Sequence, residues 1–239
     1  TEAGTIDGSK ATGSLDLVVA SGSSNLLSVT GGTADDRVTV GALTKEMTVV
    51  GGAGTDTIVV SSAAKPATGV TAAGTNVSGF EVLEVASGGS ASFAAFPGTT
   101  FTSVTAKGSA TIADVGTAAL VVNATPATAG GTITATRATN GAADVATVNL
   151  NATTSGTYTG VSVANEDTIT ISSGGDGANT ITTLTATDAK SLTVTGARGL
   201  TVTDALTSTG LATLDASGNT GTVFSVDAGA STVAMTVKG

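Results

Sequence analysis

The chain has 239 residues, of which 40% are hydrophobic, 11% charged and 3% aromatic, and it contains neither cysteine nor histidine. Its net charge of −9 and its isoelectric point of about 4.2 argue against nucleic-acid binding, which needs a basic surface. The lack of histidine and cysteine removes most nucleophile–base pairs and the usual transition-metal sites, so we predict that the protein is not an enzyme. No apolar run approaches the length of about twenty residues that a membrane span needs, and we predict none.

The composition is dominated by Thr, Ala, Gly, Val and Ser. Small and β-branched side chains suit thin, closely stacked sheets better than a globule built around aromatic anchors. Short β-type runs that are broken by Gly, Asp, Asn and Ser are typical of all-β repeat proteins. We therefore predict an all-β chain with three segments, 1–80, 81–164 and 165–239.

The first segment is organised around one glycine-and-carboxylate turn that occurs twice, twenty residues apart. Gly31-Gly32-Thr33-Ala34-Asp35-Asp36 aligns with Gly51-Gly52-Ala53-Gly54-Thr55-Asp56, and each turn leads into an alternating β-branched strand. Glycine permits positive φ and close backbone approach, so carbonyl oxygens can be turned inward. A hard cation such as Ca2+ takes about six to eight oxygen ligands, from carboxylates and from backbone carbonyls.

Two such turns, stacked one coil apart, predict a calcium site. Without an ion, the aspartates of the two turns would stack as like charges about 4.8 Å apart, which is unfavourable. A step of twenty residues also puts Asp16 in phase with Asp36. The predicted calcium ligands of this segment are Asp16, Gly31, Thr33, Asp36, Gly51, Ala53 and Asp56.

The same step extends to other positions of the first segment. It puts Asn76 in phase with Asp56, and it aligns Val18 with Val38 and Ile58. Further turns, such as Gly41–Glu46, lie ten residues out of phase. We predict a flattened coil of two short strands and two turns per twenty residues, whose alternate residues point into a thin core. Only one edge of this coil is expected to bear the acidic turns.

The second segment, 81–164, contains several short strand candidates but no fixed period. It can form either an irregular solenoid or a small sandwich, and both alternatives stay open. Its first strand has two glutamates, Glu81 and Glu84, which we expect to face solvent as a pair. The three arginines of the chain occur singly, and we predict that they lie at the surface: Arg37, Arg137 and Arg198.

Looser repeats return in the third segment. Asn165-Glu166-Asp167 is an acidic turn into a strand, and Gly174-Gly175-Asp176-Gly177-Ala178-Asn179 is a third copy of the glycine-rich turn with asparagine at the key position. Because an asparagine carbonyl can still bind the ion, we predict Gly174, Asp176 and Asn179 as further calcium ligands. Leucine-led strands at steps of about 8–12 residues are typical of the rungs of a β-solenoid.

The second turn matches the pattern G-G-x-G-x-D-x-U-x, in which U is a large apolar residue, and the first turn departs from it at Ala34. In these turns the chain resembles the calcium-binding RTX proteins. In composition it is similar to RTX-type surface-layer proteins and large repetitive adhesins of Gram-negative bacteria. The resemblance implies a right-handed parallel β-roll or β-solenoid, export by a type I system, folding that calcium triggers outside the cell, and assembly into a lattice, sheath or filament.

We therefore predict a calcium-stabilised structural protein of the bacterial cell surface that binds other copies of itself, with cell-surface polysaccharide as a second candidate partner. The alternative is a segment of a secreted RTX adhesin that binds a glycan or another cell. The predicted mechanism is coupled folding, in which carboxylates repel at low cytoplasmic calcium and ion binding outside supplies free energy for compaction.

Overall fold

The computed structural model describes residues 4–19, 26–41, 43, 47–60, 76–116, 119–125, 130–152 and 155–239, so most of the predicted turn Gly41–Glu46 lies outside the described residues. The chain is all-β, and its parallel strands form a β-solenoid of about nine turns with almost no helix. This confirms the predicted fold class, and it decides the open alternative for 81–164 in favour of a solenoid. Within the described ranges, no helix has the length and hydrophobicity to cross a membrane.

The chain divides into two compact units, Thr1–Thr105 (unit 1) and Ala106–Gly239 (unit 2). The three segments expected from the sequence stay a prediction. A single 3₁₀ turn, Phe93–Ala95, lies in unit 1. The strands of unit 1 are β1 (Gly4–Asp7), β2 (Asp16–Val19), β3 (Leu26–Thr30), β4 (Arg37–Val40), β5 (Thr48–Val50), β6 (Thr57–Val60), β7 (Val77–Ser78), β8 (Val82–Val85), β9 (Gly89–Ser92) and β10 (Ser103–Lys107), the last of which ends in unit 2.

From β1 to β8, unit 1 is built from two parallel sheets. The odd-numbered strands follow the order β1-β3-β5-β7 and the even-numbered strands the order β2-β4-β6-β8, so each pair of strands makes one coil. Large aliphatic side chains stack between the sheets at one register position: Leu17, Val38, Ile58 and Leu83. The last three are fully buried, because alternation along each strand turns every second residue into the core.

Unit 2 continues this alternation with longer strands. They are β11 (Ala110–Val115), β12 (Leu120–Thr125), β13 (Thr132–Arg137), β14 (Val145–Ala152), β15 (Gly156–Ser162), β16 (Thr168–Gly175), β17 (Asn179–Thr185), β18 (Ser191–Gly196), β19 (Leu200–Val202), β20 (Thr213–Asn219), β21 (Phe224–Ser225) and β22 (Thr236–Lys238). The even-numbered strands follow the order β12-β14-β16-β18-β20-β22 and the odd-numbered strands the order β21-β19-β17-β15-β13-β11. Ile169 and Leu192 stack in register in the core. Tyr158, the only tyrosine of the chain, is also buried there, and its hydroxyl donates a 3.1 Å hydrogen bond to the carbonyl of Ala124.

The residue immediately before each even-numbered strand lies at one edge of its unit. The backbone ladder shows this: Thr57 N–H donates to the Asp36 carbonyl at 2.8 Å, and Ser191 N–H donates to the Asp167 carbonyl at 3.1 Å. We call this series of residues the corner column. In unit 1 it contains Leu15, Asp36, Asp56, Glu81 and Thr102, and in unit 2 it contains Ala119, Asp144, Asp167, Lys190, Ala212 and Met235.

The register before Asp36 differs from the predicted step of twenty. Strand β2 pairs with β4 so that Asp16 lies opposite Arg37 and Leu17 opposite Val38. The step is therefore 21, and the predicted phase of Asp16 and alignment of Val18 are wrong by one residue. The physical reason is that a slip of one residue exchanges the two faces of a strand, and the observed register puts Leu17 rather than Val18 towards the core.

The step after Asp56 also differs. Its backbone N–H bonds to the side chain of Glu81, 25 residues later, so Glu81 and not Asn76 follows it in the corner column. Asn76 instead precedes β7 in the other sheet, where its carbonyl accepts the Val49 N–H at 2.9 Å. The predicted phase of Asn76 is wrong because this coil is longer than the one before it.

Two surface predictions are also wrong. Glu84 is only 7% exposed, because it lies against β6 and accepts a 2.8 Å hydrogen bond from Nη2 of Arg37. The Arg137 side chain is 1% exposed, since it is enclosed by an ion pair inside unit 2. Arg198 is exposed, as predicted.

Candidate metal centre

Asp36 and Asp56, the two carboxylates of the repeated turn, lie at the same edge of unit 1 and are 2% and 0% exposed. The backbone N–H of Asp36 donates to Asp56 Oδ1 at 2.7 Å. Asp36 does the same for the coil before it, since its Oδ1 accepts the Leu15 N–H at 2.8 Å. Its Oδ2 accepts the N–H of Gly32 in its own turn. Each carboxylate therefore fastens the corner of the preceding coil.

Glu81 extends this series, although the sequence analysis did not predict it as a site residue. Its Oε2 accepts the backbone N–H of Asp56 at 2.9 Å. A fixed period of twenty residues does not reach Glu81, because Glu81 lies 25 residues after Asp56. The sequence does contain a local signal for this position. Glu81, like Asp36 and Asp56, directly precedes a strand with alternating apolar residues. Three successive corners of unit 1 thus bear carboxylates.

The second oxygen of Asp56 has no partner. Oδ2 is buried, and no described residue offers it a hydrogen bond. Burial raises the pKa of Asp56, and the charges of Asp36, Glu81 and Asp35 raise it further, against the N–H bond from Asp36 that lowers it. A buried polar atom without a partner is costly, so this oxygen is the point at which a cation would stabilise the turn.

The glycines of the repeated turn let backbone carbonyls approach closely beside the carboxylates. A Cβ on Gly51 would collide with the Gly79 carbonyl oxygen and would come within 2.7 Å of Asp56 Oδ2. A Cβ on Gly31 would collide with the Gly51 carbonyl oxygen and would come within 2.6 Å of Asp36 Oδ2. A carbonyl and a carboxylate oxygen thus converge at each turn where a side chain would otherwise stand. Hard cations such as Ca2+ prefer such all-oxygen surroundings.

Thr33 and Ala53, which were also predicted as ligands, lie at the exposed tips of the two turns. Their backbone N–H groups join the turns to the preceding coils, Thr33 to the Ala11 carbonyl at 3.0 Å and Ala53 to the Gly32 carbonyl at 3.1 Å. Within the ranges described, no three acidic, His or Cys side chains converge to bind a metal by themselves. A cation at Asp56 would therefore need main-chain carbonyls as well. The donor chemistry fits calcium on that condition.

Asp16 does not join Asp36 and Asp56. It is exposed on the outer face of β2, where its Oδ1 lies 3.4 Å from Nη1 of Arg37. Its position follows from the one-residue register difference, which gives the corner to Leu15. The structure thus brings together two of the three aspartates that the repeat predicted.

The third copy of the turn lies at the other edge of its unit. Strand β16 ends at Gly175 and β17 begins at Asn179, so this turn leaves an even-numbered strand instead of leading into one. Nδ2 of the buried Asn179 donates to Ser173 Oγ at 2.9 Å and to the Gly174 carbonyl at 3.0 Å, whereas no described residue offers its buried Oδ1 a hydrogen bond. Asp176 is exposed at the tip. The expectation that a single edge bears all the acidic turns does not extend to this copy.

The corner column of unit 2 contains two acids that were not predicted as a site. Asp144 N–H donates to Asp167 Oδ2 at 3.0 Å, which repeats the bond between the first two acids of unit 1. Lys190, the next corner residue, has its Nζ 2.5 Å from Asp167 Oδ1. The hydrogen bond from Lys190 is the main cause that lowers the pKa of Asp167. In unit 2 the corner residue that follows Asp167 is therefore a lysine, which supplies a positive charge from the chain itself.

No protein-family model matches the sequence, and a search of curated proteins finds no relative. The fold and the two unequal corner columns are therefore the basis for a functional proposal. The resemblance to RTX proteins stays a prediction that depends on the two turns at Asp36 and Asp56.

Proposed function

We propose that the protein is a calcium-stabilised structural protein of the bacterial cell surface, which is exported by a type I system and assembles with copies of itself into a layer, sheath or filament. The observation that carries the proposal is the buried, unpartnered Oδ2 of Asp56, between two other corner carboxylates of a β-solenoid. The carboxylates of Asp36 and Asp56 and the carbonyls of Gly51 and Gly79 would hold the ion. Bound calcium would supply positive charge that offsets the stacked carboxylates.

The calcium dependence follows from what folding does to these carboxylates. In the unfolded chain Asp36, Asp56 and Glu81 are separate and hydrated, whereas folding stacks them in one column. An ion that binds only the folded state adds about 2.7 kcal/mol of stability when its free concentration is a hundred times the Kd. That is a large part of the roughly 5–15 kcal/mol that stabilises a typical domain. The chain would therefore fold weakly at low calcium and firmly at high calcium.

The last coil of unit 2 supports self-association. In this coil β22 pairs with β20. Val223, Val233 and Val237 are 53%, 46% and 60% exposed. Val233 and Val237 line a cavity of about 630 Å³ whose walls are mainly apolar, with Leu214, Phe224 and Met235 among them. Apolar surface of this kind favours burial against another protein surface.

Electron microscopy of the purified chain, with millimolar calcium and then with chelator, tests the proposal. We expect ordered sheets or fibres with calcium and their dispersal by chelator. Asp56→Asn should fail to assemble at the same calcium concentration, whereas Asp35→Asn, at the exposed neighbouring aspartate, should assemble normally. Chains that stay monomeric in calcium and are retained on immobilised glycans would instead support an adhesin segment.

A further inference from the structure

Unit 2 builds its corner column with the same hydrogen bonds as unit 1. Asp144 N–H donates to Asp167 Oδ2 at 3.0 Å, as Asp36 N–H donates to Asp56 Oδ1 at 2.7 Å. The first aspartate of each pair also accepts an N–H from a glycine of its own turn. The two pairs are therefore structurally equivalent, and they can be compared for the charges around them.

Unit 2 places a buried arginine against the acids of its corner column. Arg137 is the last residue of β13, and its guanidinium makes two 2.8 Å hydrogen bonds to the Glu166 carboxylate. Its Nε lies 3.6 Å from Asp144 Oδ1. Further guanidinium N–H groups donate to main-chain carbonyls, Nη2 to Val145 at 2.9 Å and Nη1 to Gly116. The side chain is thus a buried positive charge that contacts the acids on one side and backbone carbonyls on the other.

The charges of the two columns differ as a result. In unit 2, the carboxylates of Asp144, Glu166 and Asp167 have two cationic neighbours, Arg137 and Lys190. In the described part of unit 1, no lysine or arginine forms an ion pair with a corner carboxylate. The arginine of that unit lies on the outer face, paired with acids outside the column.

We infer that Arg137 is a built-in counterion, which gives the acids around the corner column of unit 2 the positive charge that calcium is proposed to give unit 1, and that this column does not depend on calcium. The inference rests on the proposed function of the Asp56 site. A cation on the chain cannot dissociate when calcium is removed, and a buried pair that loses one partner is strongly destabilised because a charge is left alone.

Hydrogen–deuterium exchange with mass spectrometry on the full chain locates the effect of calcium. In the wild type, calcium should slow amide exchange about tenfold or more in residues 31–60, relative to chelator, and should leave residues 132–175 unchanged. Equal slowing in both ranges would overturn the inference while leaving calcium binding intact. No slowing in either range would overturn the proposed calcium function itself.

A variant of Arg137 tests the counterion role directly. Arg137→Met should lose protection over residues 132–175 in chelator and should recover it about tenfold in calcium, because the acids then lack their cation. The double variant Arg137→Met with Glu166→Gln should regain protection in chelator and lose the calcium response. Arg198→Met, at an exposed arginine of the same unit, is the matched control and should behave as the wild type.

An Arg137→Met chain whose exchange is unchanged by the substitution would overturn the inference. Exchange that is fast to the same extent in chelator and in calcium would also overturn it, because it would show a packing role only. If this variant does not fold in either condition, the wild-type comparison of the two ranges decides alone.

Discussion

The backbone N–H of Asp36 and Oδ1 of Asp56 are joined by a hydrogen bond of 2.7 Å that links two successive coils. This bond uses one oxygen of a buried carboxylate and leaves the other without a partner. The same side chain therefore has a structural role, through Oδ1, and a proposed ion-binding role, through Oδ2. Substitutions at and around it can separate the two roles.

Asp56→Asn keeps an oxygen for the Asp36 N–H and removes the charge. In calcium we expect it to lose about 2–3 kcal/mol of unfolding free energy, since the ion no longer adds its binding energy. In chelator its stability should not fall, because a buried uncompensated charge has been removed. Denaturant unfolding followed by circular dichroism, in both conditions, measures the difference. A loss of equal size in calcium and in chelator would show that the side chain acts only through its hydrogen bond.

Gly51→Ala tests the close approach at the repeated turn. The new methyl group would collide with the carbonyl oxygen of Gly79. We expect a loss of about 1–3 kcal/mol, as is usual when atoms are forced into packed surroundings. Gly13→Ala is the matched control, because nothing lies within 4 Å of its added Cβ. Thermal unfolding of the two variants should separate them clearly, and equal melting temperatures would contradict the geometry of the turn.

The pKa values of Asp56 and Asp167 are shifted in opposite directions. The raised pKa of Asp56 means that, in chelator, its contribution to stability is present below the ordinary pKa of 3.8 and is lost as the pH rises through the raised pKa. The lowered pKa of Asp167 means that its contribution is present above 3.8 and is lost as the pH falls through the lowered pKa. Carbon NMR of the side-chain carboxyl groups measures both midpoints. Lys190→Met should move the Asp167 midpoint upwards and leave that of Asp56 unchanged.

Tyr158 offers a test of the core that is independent of calcium. Burial raises its pKa from 10.0 to about 12. Ultraviolet absorbance reports this one group, because the chain has a single tyrosine. A folded-state midpoint near 10 would contradict the burial of the phenol. Tyr158→Phe should lower stability by about 0.5–1.5 kcal/mol, through the lost hydrogen bond to the Ala124 carbonyl.

Periodicity predicted the all-β solenoid and the two turns at Asp36 and Asp56, because a glycine pair, an acid and an alternating strand report on local backbone geometry. It did not predict Glu81 or the true place of Asp16, since coil length varies while the hydrogen-bond ladder is kept. The ladder decides the register, and a fixed step in sequence only approximates it.

The third copy of the turn shows a different limit. The residues from Gly174 to Asn179 resemble the first two turns, but the strand that follows them is β17, in the other sheet. A turn motif does not state which edge of a coil it occupies. Arg137 was misplaced for a related reason, because its partner Glu166 is 29 residues away and neither residue is distinctive alone.

The hydrogen bonds from corner N–H groups to corner carboxylates all run from an earlier residue to a later one, and this gives the chain an order of completion. The N–H of Asp36 bonds to a carboxylate oxygen of a residue 20 positions later. The N–H of Asp144 bonds to a carboxylate oxygen of a residue 23 positions later. When one of these coils has just been synthesised, the carboxylate that accepts its corner N–H has therefore not yet been made. A truncation after β2, β4, β6 or β14 would therefore leave the last corner N–H without its carboxylate partner.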